Sequence, residues 1–202
     1  MTLIKKIETE LMGIATVAAD VQSISSELDL SDNLKDQVTI LIDHAKDHAS
    51  ASAGQGTEDV VQVSEKASGD DTWRALASFD AAITAPTAVV PDSAEVGPVI
   101  ECGASVPAIG DIVFWKLATL ANSEWSNVIA RVITGGSESI TVESTLANAV
   151  TAGATYYTQG EHFVVTIDVK SITRLRVVCN NTKGTTNRAI VWRCAALTAQ
   201  EI

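Results

Sequence analysis

The sequence predicts an α+β chain: a helical segment over residues 1–67, then a mainly antiparallel β-sandwich or barrel over 70–202. Three observations predict it. Two β-patterned runs, 174–179 and 188–194, flank a polar turn at 180–187 and read as a terminal hairpin. Further short β-rich runs recur from 111 to 168, separated by turn residues, as in an antiparallel sandwich or barrel. The first 28 residues instead space their apolar side chains at three and four, the helical period.

Ile4, Ile7, Leu11, Ile14, Ala18, Val21 and Leu28 form that helical stripe, with Ser25 as a polar member. Either the stripe pairs between chains, where Ile and Leu at such positions suit trimers better than dimers, or it packs on its own chain. On the first reading Ile4, Ile7, Leu11, Ile14 and Val21 are oligomer contacts. Ser31 reads as the N-cap of a second helix, with Asp32 in its first turn and Leu34, Val38, Leu41, Ile42 and Ala45 on its inner face. Residues 49–56 are small, polar and Gly-bearing, a linker. Residues 57–67 suit a short helix or an extended arm.

From residue 70 the pattern becomes β-like. The runs are 73–79, 111–116, 125–133, 139–142, 154–157, 162–168, 174–179 and 188–197. Pro86, Pro91 and Pro98 punctuate a loop-rich stretch, and Gly135-Gly136 suits a tight turn. In the terminal hairpin the alternation puts Leu175, Val177, Ile190 and Trp192 in the β-core. The simplest register sets Leu175 opposite Trp192 and Val177 opposite Ile190.

The run from Gly110-Asp-Ile-Val-Phe-Trp115 through Asn127-Val-Ile-Ala-Arg-Val-Ile133, Ile140-Thr-Val142 and Ala152-Gly-Ala154 to Tyr156-Tyr157 resembles a small β-module common in tailed-bacteriophage virion proteins. Residues 163–197 also resemble phage structural sheets, so the likeness covers roughly 108–197. It implies a non-enzymatic component of the head exterior, neck or collar, or tail, made in the host cytoplasm and located in the virion. Its implied partners are copies of itself and other virion proteins such as capsid, portal or tail components.

Composition narrows the chemistry. At 46% hydrophobic residues, 202 residues can bury a proper core, while aromatics are only 4%. The net charge of −11 repels phosphate and argues against broad nucleic-acid binding. Arg174, Arg176, Arg188 and Arg193 make a local basic strip, suited to an acidic partner or to a solvated sheet face with arginine stems over apolar surface. The chain has no apolar run of membrane-spanning length, and its charged, amphipathic N-terminus has no signal core, so a cytoplasmic, membrane-free chain is expected.

No catalytic, cofactor or metal site is expected. Cys102, Cys179 and Cys194 include no Cys-x-x-Cys pair and read as small buried hydrophobes, with Cys102 open to an interchain bridge. His44 and His48, spaced i to i+4, fit a metal clamp or a solvated helix face. There is no Gly-x-Ser-x-Gly elbow, P-loop or dinucleotide fingerprint. Trp73, Trp115, Trp125 and Trp192 keep a second reading open, a carbohydrate-binding, lectin-like β-sandwich in which an exposed indole stacks on sugar.

Overall fold

A computed structural model describes residues 4–31, 37–46, 56–64, 72–81, 87–103, 106–134, 137–158 and 160–201. Among these residues fifteen strands follow one another: β1 (Ile4–Val17), β2 (Gln22–Ile24), β3 (Leu28–Asp29), β4 (Gln37–Lys46), β5 (Thr57–Ser64), β6 (Arg74–Ala81), β7 (Thr87–Val89), β8 (Val99–Cys102), β9 (Ile112–Trp115), β10 (Glu124–Thr134), β11 (Ser137–Val142), β12 (Tyr156–Thr158), β13 (Gly160–Asp168), β14 (Arg174–Asn180) and β15 (Ile190–Glu201). Among the described residues there is no α-helix, only a 3-10 turn at Leu120–Asn122. The described residues are therefore all-β in their regular structure, and the α+β expectation with its helical N-terminal segment is wrong.

The physical reason for that error lies in β1. It pairs antiparallel with β15, from Ile4 opposite Glu201 to Val17 opposite Ile190, and the register shifts twice, between Glu10 and Met12 and between Met12 and Ala15. Each shift sets two residues against one. Strict alternation is lost, and the surviving apolar spacing imitates a helix. Within β4 the strand signal was present: Val38, Thr39, Ile40 and Ile42 are β-branched, and Val38, Ile40, Ile42 and His44 are fully buried at every second position. Ser31 caps no described helix. Its backbone N–H and its hydroxyl both donate to Asp29 Oδ1, closing a turn after β3.

The chain divides into two compact units. The first comprises residues 1–44, 54–82 and 162–202, and its strands form two sheets. One sheet runs β1-β15-β4-β13; the other runs β2-β14-β5-β6, with β3 also paired to β14. The sheets meet face to face. Phe163 of β13 stacks on Phe79 of β6 at 5.5 Å, and His44 of β4 bonds to Asp59 of β5. Between them lie Leu175, Val177, Ile190 and Trp192, all fully buried.

The terminal hairpin is not formed. β14 pairs with β2, β3 and β5, whereas β15 pairs with β1 and β4. Residues 181–189 cross from one sheet to the other, so Leu175 is opposite Val63 and Leu28, and Trp192 is opposite Ala15. Asn181 directs the crossing. Its buried side-chain amide donates to the carbonyls of Val17, Ala18 and Arg188 at 3.4, 2.9 and 2.8 Å.

The second unit, residues 45–53 and 83–161, is built on one sheet of order β7-β12-β9-β10-β11-β8. Its core gathers Val89, Ile100, Val113, Trp115, Ile140 and Tyr156, with Tyr156 edge-on to Trp115 at 5.1 Å. Gly153 has φ +70° and Gly110 has φ +94°, conformations that favour glycine at these bends. β10 and β11 pair from Val128–Val142 to Thr134–Ser137, the closing pair on either side of Gly135-Gly136.

Candidate functional site

Two groups of polar side chains lie on opposite faces of β4, because neighbouring residues of a strand point to opposite sides of a sheet. Asp43 meets the strands flanking β4. Arg193 Nε of β15 donates to its Oδ2 at 2.5 Å, and His162 Nδ1 of β13 bonds to its Oδ1. Burial pushes the Asp43 carboxyl up, but the bond with His162 and the charge of Arg193 outweigh it and hold the group below the ordinary carboxylate range. A shallow pocket beside this row is lined by Glu8, Glu10, Met12, Leu41, Asp43 and Arg193, among others.

This row is poorly suited to catalysis. Both Asp43 oxygens are engaged, and among the described residues no hydroxyl or thiol bonds to His162, so no nucleophile is paired with a base.

His44 points the other way, into the sandwich. Its Nε2 bonds to Asp59 Oδ2, and both side chains have no exposed surface. Cys179 lies directly across the ladder from Asp59. One ligand-type atom from each of His44, Asp59 and Cys179 falls within 4.8 Å of the others. The Cys179 thiol is driven far above its usual range, first by burial and then by the Asp59 charge. Cys194 is pushed up to about 12 by burial, with Asp59 again adding to it. In the second unit, Cys102 is pushed up to about 11 by burial and the carboxylates of Asp92, Glu95 and Glu138.

The thiolate is the reactive form of cysteine. All three cysteines are free and buried, so native protein at neutral pH will resist a disulfide-exchange thiol reagent, and unfolding in guanidinium will release three thiols. Rapid labelling of one native thiol would contradict this burial, and Cys102 labelling would reopen the interchain bridge.

The remaining sequence candidates separate. Leu11 is buried in the first unit, Ile7 and Ile14 are half-buried, and Val21 is exposed; Ile4 stands in β1, and its side chain lies outside the described ones. His44 is on a strand, so the helical i to i+4 clamp fails, and His48 lies outside the described residues. The basic strip is divided between sheets. Arg174 and Arg176 of β14 cover the Trp73 ring at 4.9 and 4.1 Å, while Arg193 of β15 pairs with Asp43.

Trp115, Trp125 and Trp192 are buried, which leaves the half-buried Trp73, with Arg174 and Arg176 over its ring, as the indole on which the sugar-stacking reading would rest. The reading from sequence missed Asp59 altogether. The signal available was an acid immediately before Val60-Val61, next to an apolar run where a buried carboxylate is expensive without a partner.

No family model and no curated protein matches the chain. Solved structures of infectious bursal disease virus, Gx strain and Gt strain, are similar over 99% and 98% of this chain, each at 10% identity, with TM-scores of 0.29 and 0.27. This chain spans 42% and 41% of the two matched chains. Likeness at that level assigns neither a fold family nor a function.

Proposed function

We propose that this chain is a non-enzymatic structural component of a virus particle, more finely a tailed-phage virion protein of the head exterior, neck or tail. It works by associating with copies of itself and docking on other virion proteins. The observation that carries the reading is an apolar outer face in the second unit. Val132 of β10 is 52% exposed and Val99 of β8 is 51% exposed; Ile129 and Ile133 of β10 are exposed too, and Ile133, next to Val132, projects from the other side of the sheet. Val132 is opposite Ser139, Val99 is opposite Thr141, and Thr141 is opposite Ala130, so Val99 and Val132 share one side of the sheet across β11. Clustered apolar side chains held in water mark contact surfaces.

The cadence of residues 110–157 supports the phage assignment, and the engaged or buried state of the polar groups above supports a role without turnover. A trimer no longer draws support from a helical stripe, since Ile4–Val17 is a strand. The experiment is light scattering on the wild type and on a Val99→Asp/Val132→Asp double variant. The wild type is expected as a multimer and the variant as a monomer with unchanged circular dichroism. A wild type that stays monomeric at high concentration would refute self-association, and a variant of unchanged mass would refute this face.

A further inference from the structure

We propose that the interior of the first unit holds a divalent transition metal of the zinc class, ligated by His44, Asp59 and Cys179. The donors come from three strands in two facing sheets: His44 from β4, and Asp59 and Cys179 from the paired β5 and β14.

The donor chemistry selects the metal. One imidazole, one carboxylate and one sulfur form a nitrogen, oxygen and sulfur set that suits Zn²⁺ and disfavours Mg²⁺ or Ca²⁺. Zinc with bonds of about 2.0–2.3 Å holds neighbouring tetrahedral donors roughly 3.3–3.8 Å apart. The three donor atoms all lie within 4.8 Å of one another, near that spacing, and the direct His44–Asp59 hydrogen bond opens to admit the metal.

A second observation points the same way. Asp59 has no exposed surface, yet its Oδ1 has no hydrogen-bond partner among the described residues. A buried carboxylate oxygen left unsatisfied is costly, and a cation beside it removes the cost. Ligation converts the Cys179 thiol to a thiolate and breaks the His44–Asp59 hydrogen bond; the thiol proton leaves to solvent, the proton of the His44–Asp59 bond leaves to solvent or moves to the imidazole nitrogen that does not bind the metal, and the metal keeps its oxidation state. The site is closed on all sides, so its role is to clamp the two sheets together.

The test uses the full chain, unfolded in guanidinium with a thiol reductant and refolded with Co²⁺ or Zn²⁺ alone, because a closed site fills as the sheets close. The expected result is about one metal ion per chain retained through desalting, a sulfur-to-cobalt charge-transfer band, and a higher melting temperature than chain refolded with chelator. Cys179→Ser should weaken or remove the band, and Cys102→Ser, in the other unit, should leave it intact. Correctly refolded wild type with no metal above the desalting blank would overturn the proposal. So would a band unchanged in Cys179→Ser. The wild-type measurement decides the matter even if the Cys179 variant fails to fold.

Discussion

Replacing Trp192 by alanine should lower the free energy of unfolding by about 3–5 kcal/mol, the range for deleting a buried large aromatic from a packed core. Trp192 has no exposed surface and stands in β15 between β1 and β4, in the layer that faces the second sheet. Its removal leaves a void that the surrounding strands can close only in part, because both sheets are tied by ladders on either side. The indole N–H has no hydrogen-bond partner among the described residues. The loss is thus a matter of volume and apolar contact, and Trp192→Phe should cost distinctly less than Trp192→Ala. Urea unfolding followed by circular dichroism reads both. A midpoint for Trp192→Ala close to that of the wild type would mean that this residue is not in the core.

Asn181→Ala should cost roughly 2–4 kcal/mol, from three carbonyls that lose a donor inside the protein. The Asn181 side chain also accepts from Thr57 Oγ1 at 3.4 Å, while its backbone N–H donates to Val21 O and its carbonyl accepts from Asp20 N–H. One residue therefore joins the end of β1, the turn after it, the end of β14 and the approach to β15. Asn181→Asp should be at least as damaging, since a carboxylate would then face the carbonyls of Ala18 and Arg188. Asn180→Ala is the control: its side chain bonds Gln22 and Glu58 near the surface, and its loss should stay below about 1 kcal/mol. Equal effects at 180 and 181 would remove the special role given to Asn181.

The sequence was most legible where interactions are local. Alternation in residues 174–179 marks a strand with Leu175, Val177 and Cys179 inward, and those three are fully buried. The paired runs at 125–133 and 139–142 correspond to the hairpin β10–β11. It was least legible in the first 46 residues. In β1 the two register shifts erase the period of two, and they arise in the pairing with strand 190–201, far away in the chain. In β4 the β-branched residues carried the signal, but a nearby Ser31-Asp32 start and the 3–4 spacing of Val38, Leu41, Ile42 and Ala45 imitated a helix.

The candidate metal centre was even less accessible. His44 and Cys179 were visible as residue types, but Asp59 had no motif to mark it, and the three positions have no fixed spacing. Their convergence depends on β5 pairing with β14 and on that pair facing β4.

By itself the sequence determined the pleated character of most of the short runs between residues 111 and 197, and which side chains of β14 are apolar on one face. Those follow from backbone sterics and from side-chain alternation, which act over a few residues. Only the tertiary structure decided that residues 174–180 and 190–201 enter different sheets, that the N-terminal stripe is a strand, and that His44, Asp59 and Cys179 meet. Those outcomes depend on which distant segments satisfy each strand's hydrogen bonds. Competing pairings bury similar apolar area, and a buried hub such as Asn181 favours one over another.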